Sequence, residues 1–556
     1  MKYLKTYFTL ILILSFSIVA FTQNKNIKVI YQRSFNDKID SINYTVSESS
    51  ENTTVVYGIK KIDKEDEISN SKTYIDINNN KQYQSFKLPD DEIITTESNL
   101  IFERNWEYID ETEEILGLKC KKAKVIINSN TIEIFYVDNP KYVITPNSRF
   151  GLTNGLILKT IYNGSRVEEA IKIDYSNKKQ NHLPESYGTI LPSAEYQKRI
   201  NEMYVKTVNV FSNQRICYDP SIKVSNELVL DSLLIFGNGT IVCKLIDLPD
   251  SAWKYDIFVE LSQYSDGDAY DRTGNVFVIP MDKELSFYDG MKNGIEQLPY
   301  FTDKKGKKHH GLTITDNYTP PVELMRFYTS FGTRKYNHIE YGDYNWYDSV
   351  VFKQDVSHLA PLLSNKALIG VFIGNYDKNG HIINLDIKFH PGNPDAKKQN
   401  IIPLFCTLNI MEMAGQEYSD FFDTDTLNVD FVLDNDINNV ILSYISTGHG
   451  GWSEGDEFNK KPNEILLDNS SISIIPWRYD CASYRERNPC SGNFSNGLSS
   501  SDYSRSGWCP GTITNPVEIF YQNIYKGKHR ISVKIPQGEK VGQSFSAWNI
   551  SGILIY

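Results

Sequence analysis

The sequence predicts an all-β protein assembled from sandwiches. Short runs in which apolar and polar residues alternate recur from end to end, and helical periodicity is scarce. Aromatic content points the same way. Aromatics make up 13% of the 556 residues, chiefly Tyr (36) and Phe (27), types that suit pleated, half-buried surfaces.

Taken in chain order, the first element is a basic start, Met1 to Lys5, followed by an apolar run from Thr9 to Phe21 and then polar Gln23 to Asn26. With the small residues Ser17 to Ala20, this pattern predicts a signal peptide over residues 1–22, cleaved between Ala20 and Gln23, and therefore an exported protein, periplasmic or secreted. No cysteine follows the run, so no lipoprotein anchor is expected, and no later stretch approaches the roughly 20 apolar residues of a membrane span. A β-rich body is expected over 24–176. Its clearest hairpin is Lys122 to Ile127 and Thr131 to Tyr136 around the polar turn Asn128-Ser-Asn130. The polar stretch 177–205 reads as a linker, with the best helical candidate, Ser193 to Tyr204, inside it.

Strand-like runs then resume at Ile257–Leu261, Asn275–Ile279, Ala367–Ile373, Ile382–Phe389 and Val440–Ile445. Between the last two, His390-Pro-Gly-Asn-Pro394 breaks the pattern with two prolines and a glycine, which divides the remainder into bodies at 206–392 and 395–556.

Charge narrows the partners. Against 58 Lys and Arg stand 69 Asp and Glu, net −11, with no long basic block. Nucleic acid is excluded as an expected partner. The seven cysteines permit disulfides in an exported chain and leave at least one thiol unpaired. Cys490 and Cys509 flank a Ser/Gly/Asn-rich loop with little apolar content, so a bridge between them is expected, with Cys481 as the competing partner. Cys120, Cys217, Cys243 and Cys406 lie in strand-like contexts and read as buried thiols, although Cys217 with Cys243 could bridge. None has metal-ligand spacing, and no metal or cofactor is expected.

The polar pieces that point to chemistry are far apart: Asp271-Arg272, Gly448-His449-Gly450, Glu457, and Arg505-Ser-Gly-Trp-Cys-Pro-Gly511. Separated acids, an arginine near each end and aromatics between them are what a polar substrate cleft at a domain junction needs. Hydrolysing an amide takes an activated water, a steadied oxyanion and a proton for the leaving nitrogen. Carboxylates and guanidinium groups supply these. In extended chain Asp271 and Arg272 would point to opposite faces, so they need not neutralise each other. His309-His310, in a Lys-rich loop, reads as solvated rather than metal-binding.

Seven collinear segments of the last two bodies resemble the peptide-N-glycosidase F family: Thr207–Val210, Asp271–Val278, Arg326–Phe331, Asp355–Leu363, Ser446–Gly450, Asp456–Phe458 and Gly507–Gly511. The resemblance covers about 350 residues. It implies two side-by-side eight-stranded jelly rolls with the cleft at their interface and hydrolysis of the glycan–asparagine amide of N-linked glycoproteins or glycopeptides; a monomer is expected. It further implies that Asp271 and Glu457 are catalytic acids, that Arg272 and Arg505 bind substrate, and that His449 orients it. Tyr270, Tyr376, Phe458 and Trp508 would suit stacking on sugar faces. There are departures. The family's third acid falls on Gly374, for which Asp377 or Asp268 could stand in, Tyr270 replaces a tryptophan, and Gly455 and Asn459 replace cysteines. The expected function is therefore an amidase, with a glycan-binding or adhesive protein of the same fold as the rival; no nucleophile motif favours a protease.

The first body is similar to a different family. Trp106–Ile109, Glu111–Ala123 and Gly151–Leu158 resemble the GLPGLI family of exported Bacteroidetes domains, with Gly-Leu-Thr-Asn-Gly-Leu-Ile in place of the eponymous motif. An accessory or cleft-shaping module, or a spacer, is expected there.

Overall fold

A computed structural model describes residues 26–50, 52–62, 64–100, 105–139, 142–148, 155–178, 180–224, 227–450, 455–468, 470–539 and 545–556. The expected signal peptide lies outside them, as do residues 151–154 of the N-terminal motif. The chain forms two compact units that divide between Tyr204 and Val205.

The first unit is one twelve-stranded sheet. Asn26–Phe35 lies near its middle, antiparallel to Lys38–Ser50 on one side and to Arg166–Ser176 on the other. The expected hairpin forms from Leu118–Ile127 and Asn130–Asp138, with Ile127 opposite Asn130. Asn128 and Ser129 both have positive φ, 49° and 65°, the geometry whose twist matches a two-residue hairpin. Within the stretch expected as linker, Thr189–Ile190 adds a parallel edge pairing to Ile93–Asn99. The predicted helix follows as Ser193–Glu202 and packs Tyr196 onto Leu88 and Ile94.

The second unit holds four sheets that matter for the site. Its first half faces a four-stranded sheet (Lys206–Ile216, His381–Pro391, Tyr255–Ser265, Val350–Asp355) against a sheet of Leu234–Phe236, Ile241–Asp247, Lys366–Ile373, Thr273–Ile279 and Val322–Tyr328. Strict alternation explains the packing. Ile257, Val259 and Leu261 sit in register with Phe389, Ile387 and Leu385, and all six are fully buried. Each such side chain contributes about 1.5–3 kcal/mol relative to exposure. The same inward row continues into polar residues, Gln263 opposite Ile383 and His381 opposite Ser265, with Gln263 and His381 also fully buried.

The second half is a sandwich of four strands on four. Ile401–Cys406, Ser546–Ile555, Ile437–Gly450 and Val517–Ile524 face Leu427–Leu433, Gly527–Lys534, Asn463–Leu467 and Ser470–Ile474. All five strands expected from 257 to 445 are present, inside longer elements.

Two devices fasten the halves side by side. Ile513–Thr514, from the second half, pairs with Phe327 and Arg326 at the edge of the first. Arg326 is fully buried, ion-paired to Glu323, and donates from Nη1 to Thr447 Oγ1 (3.1 Å) and the Asn549 carbonyl (2.7 Å). A buried charge is tolerated because it is paired and its donors are used.

Candidate active site

Thr273–Ile279 crosses the first half's larger sheet, and the chain just before it carries Asp271 and Arg272 to the seam. From the other half, Ile437–Gly450 runs fourteen residues and delivers Gly448 to Gly450 to the same place. The 500–508 segment is threaded alongside. Arg505 exchanges backbone hydrogen bonds with Arg478, Gly448 N–H donates to the Ser506 carbonyl, and Ser506 N–H donates to the Glu457 carbonyl. Three segments remote in sequence thus meet at one guanidinium.

That guanidinium is Arg505, with 1% of its side chain exposed. Its Nη1 lies 3.4 Å from Asp271 Oδ2 and pairs closely with Glu457 Oε1. Nη2 donates to the Ser500 carbonyl (2.8 Å) and Oγ (3.0 Å). The guanidinium carbon lies 4.4 Å from the Trp508 ring centre and 5.0 Å from that of Phe458. Glu457 is steadied by Gly450 N–H, which donates to its Oε2 at 3.3 Å.

The two acids border a cleft of about 740 Å³ whose apolar walls are Phe331, Phe458, Phe494 and Phe545, with Asn493, Ser495 and Ser500 supplying polar atoms. A volume of this order suits a ligand of several rings. Asp271 keeps 17% of its side chain exposed. Burial pushes its pKa up to about 6, and Arg505, acting in the opposite sense, limits the rise.

Arg272 turns away from that pair. Its Nε and Nη2 donate to Asp268 Oδ2 (2.7 Å) and Oδ1 (3.2 Å), and its guanidinium carbon lies 4.9 Å from the Tyr270 ring centre and 5.6 Å from that of Tyr376. Both rings are open to solvent, Tyr270 59% and Tyr376 56% exposed. Of the two carboxylates considered as stand-ins beside Gly374, Asp377 is committed to its own turn, accepting from Asn379 and Gly380 N–H at 2.8 and 2.7 Å. Asp268 instead holds Arg272.

Two residues expected to meet the substrate are enclosed. Trp508 is 3% exposed; Tyr328 stacks on it at 4.2 Å, Arg505 lies 4.4 Å from its ring centre, and its Nε1 donates to the Gly448 carbonyl. It serves as the floor beneath Arg505. His449 lies behind it, with Nε2 2.8 Å from Thr447 Oγ1 and 3.2 Å from the Tyr328 hydroxyl. Burial, with Arg326 and Arg505 nearby, drops its pKa to about 3, so the imidazole is neutral. Glycine at 448 is explained by the protein itself, since a Cβ there would lie 2.8 Å from the Asp456 carbonyl and from Trp548.

The disulfide expectation needs correction. Cys509 bridges Cys481, not Cys490, across 28 residues with Cα atoms 5.2 Å apart. Cys490 is held elsewhere: its N–H donates to the Phe331 carbonyl and its thiol to the Ala269 carbonyl at 3.2 Å, which pins the 488–490 turn against the strand ends that carry Asp271. Cys217 and Cys243 are free. Cys481→Ser is expected to destabilise the protein by about 3.5 kcal/mol for a loop of this length. Cys490→Ser should stay within about 1 kcal/mol. Denaturant unfolding of both variants checks the assignment.

The part of the cleft wall formed by Phe494, Ser495 and Ser500 was missed in the sequence because that stretch reads as a disulfide-closed loop. Phe545 carried no signal, being an isolated aromatic before the last strand. Among the described residues no group of three or more His, Cys, Asp or Glu side chains is placed to hold a metal ion, and no helix is long and apolar enough to cross a membrane.

Fold and seam together define a double β sandwich with an acid-lined, arginine-centred cleft at its junction. The chain belongs to the peptide-N-glycosidase F family. Residues 207–389 match the family description "Peptide-N-glycosidase F, N terminal", and residues 417–555 match "Peptide-N-glycosidase F, C terminal". Residues 29–190 match "N-glycanase peptide, N-terminal domain", which replaces the GLPGLI resemblance for the first unit. Among solved structures, PNGF-II in one crystal form is 41% identical, with 96% of this chain and 99% of that chain covered and a TM-score of 0.79. In a second form the values are 41%, 95%, 98% and 0.72. PNGase F, a glycosylasparaginase from Flavobacterium meningosepticum, is 14% identical over 63% of this chain and 95% of that one, with a TM-score of 0.41. No curated protein matches the chain.

Proposed function

We propose that the chain is an exported, monomeric amidase that hydrolyses the bond between glycan and asparagine in N-linked glycoproteins or glycopeptides, leaving aspartate. The supporting observation is the placement of Asp271 and Glu457 on one buried guanidinium at the edge of a cleft with aromatic walls. In this scheme Asp271 removes a proton from the attacking water. A carboxylate whose pKa is raised to about 6 is a stronger base than a free one and still ionised at pH 7. Arg505, already placed between the acids, carries the positive charge against which an amide oxyanion can develop. Glu457 holds that guanidinium and is the second acid. The proton gained by Asp271 is then available to the departing nitrogen, and water is the only co-reactant.

Activity should follow the titration of Asp271. With the base required in its ionised form, kcat/KM is expected to fall about tenfold per pH unit below about 6. A profile flat down to pH 4 would remove Asp271 from the base role.

The proposal is tested by incubating the purified protein with denatured glycoproteins and with glycopeptides carrying high-mannose, complex and core-fucosylated glycans, and separating released glycan. One observation favours a second reading, a glycan-binding protein without turnover: Gly374 brings no carboxylate to the seam, although its N–H donates to the Thr273 carbonyl at 3.0 Å, two residues from Asp271. Glycan binding that persists without release, and is unchanged in Asp271→Ala, would establish that reading instead.

A further inference from the structure

Behind Arg272 runs a chain of buried polar groups that the scheme above does not use. Asp268 is 3% exposed and takes both Nε and Nη2 of Arg272. Its Oδ2 also lies 3.4 Å from His381 Nε2, and His381 Nδ1 lies 2.8 Å from Gln263 Nε2. Because the Gln263 amide nitrogen only donates, Nδ1 accepts, and Nε2 carries the proton that points at Asp268. Gln263 and His381 are the polar end of the inward row that builds the sandwich core, so their backbones are fixed by the Tyr255–Ser265 and His381–Pro391 pairing. The turn between is tied down as well, since the N–H groups of Asp266 and Gly267 both donate to the Gly380 carbonyl. Burial by itself would raise the Asp268 pKa, but the hydrogen bonds from His381 and Arg272 outweigh it and hold it at about 2, so the carboxylate stays charged.

We propose that Asp268 is a positioning residue for Arg272, locked from the core by His381 and Gln263. Two of the guanidinium nitrogens are consumed by the clamp, and Tyr270 and Tyr376 lie against the group, both open to solvent. Nη1 has no hydrogen-bond partner among the described residues, which leaves a donor in fixed orientation one residue from Asp271. A bidentate clamp removes the rotamer freedom that a free arginine would lose on binding a ligand. The inference rests on the proposed function to the extent that Arg272 meets the glycan or the asparagine amide.

A double-mutant cycle tests it, read by kinetics and by calorimetric binding of a glycopeptide to the full chain. Asp268→Asn should lower kcat/KM by roughly tenfold to a hundredfold, mostly through KM. In an Arg272→Ala background the same replacement should change kcat/KM, and the binding constant, less than about twofold. His381→Gln leaves the Asp268–Arg272 pair intact and carries the same cycle, with a smaller loss, should Asp268→Asn fail to fold. Losses that multiply across the cycle would overturn the positioning role and leave Asp268 a structural anion. A wild-type protein that neither releases nor binds glycan would instead overturn the function on which the inference rests.

Discussion

Asp271→Asn is expected to reduce kcat/KM by about a thousandfold, within the range by which a general base accelerates proton transfer. The substitution keeps shape and removes only basicity. A second readout separates loss of chemistry from loss of fold. In the folded protein the Asp271 pKa is raised to about 6, above the roughly 3.9 of an unfolded chain. For an acid shifted upward the folded state binds the extra proton, so the contribution to stability is fully present below about pH 4 and is lost as pH rises through about 6. Removing the carboxylate removes that loss. The variant should therefore match the wild type near pH 4 and melt higher above pH 7. An inactive variant that is less stable at pH 8 would indicate a structural acid.

Arg505 is expected to give the second-largest effect. It serves two carboxylates through Nη1 and Ser500 through Nη2, while its buried Nε has no partner among the described residues. Lys offers one nitrogen where the guanidinium offers two in fixed geometry, so Arg505→Lys should cost about 10²-fold in kcat/KM. Arg505→Met should cost more. It leaves Asp271 and Glu457 facing each other uncompensated, a loss on the order of 3–5 kcal/mol in stability. Because Arg505 lowers the Asp271 pKa, removing it should move the acidic limb of the pH profile upward. A downward move would contradict the assignment of Arg505 as the counter-charge.

Much of the architecture was legible because alternation is a local signal. Val259 and Leu261 announce their strand without knowledge of its partner, and Asn128-Ser129 announces its turn. The site was legible in a different way. Asp271, Glu457 and Arg505 were found through the resemblance, and only the fold brings them to one nitrogen. What sequence could not deliver was depth. Trp508 and His449 were expected to meet the substrate, as an aromatic suited to a sugar face and as the family's orienting histidine, yet packing against Tyr328 encloses them. Asp268 was expected only as a stand-in for the missing third acid, since nothing local reveals that His381, 113 residues away, meets it. The disulfide failed for a related reason. Loop composition favours Cys490, whereas the fold holds Cys490 against the Phe331 and Ala269 carbonyls and brings Cys481 to Cys509.

Cleavage at the glycan–asparagine amide is read from the mass of the formerly glycosylated residue after treatment of a glycopeptide in ¹⁸O-water. Free glycan and, at that position, an aspartate carrying one solvent oxygen are expected, with both reduced about a thousandfold in rate for Asp271→Asn. A peptide that keeps its asparagine amide, either with the glycan intact or with a single sugar still attached, would contradict cleavage at that bond.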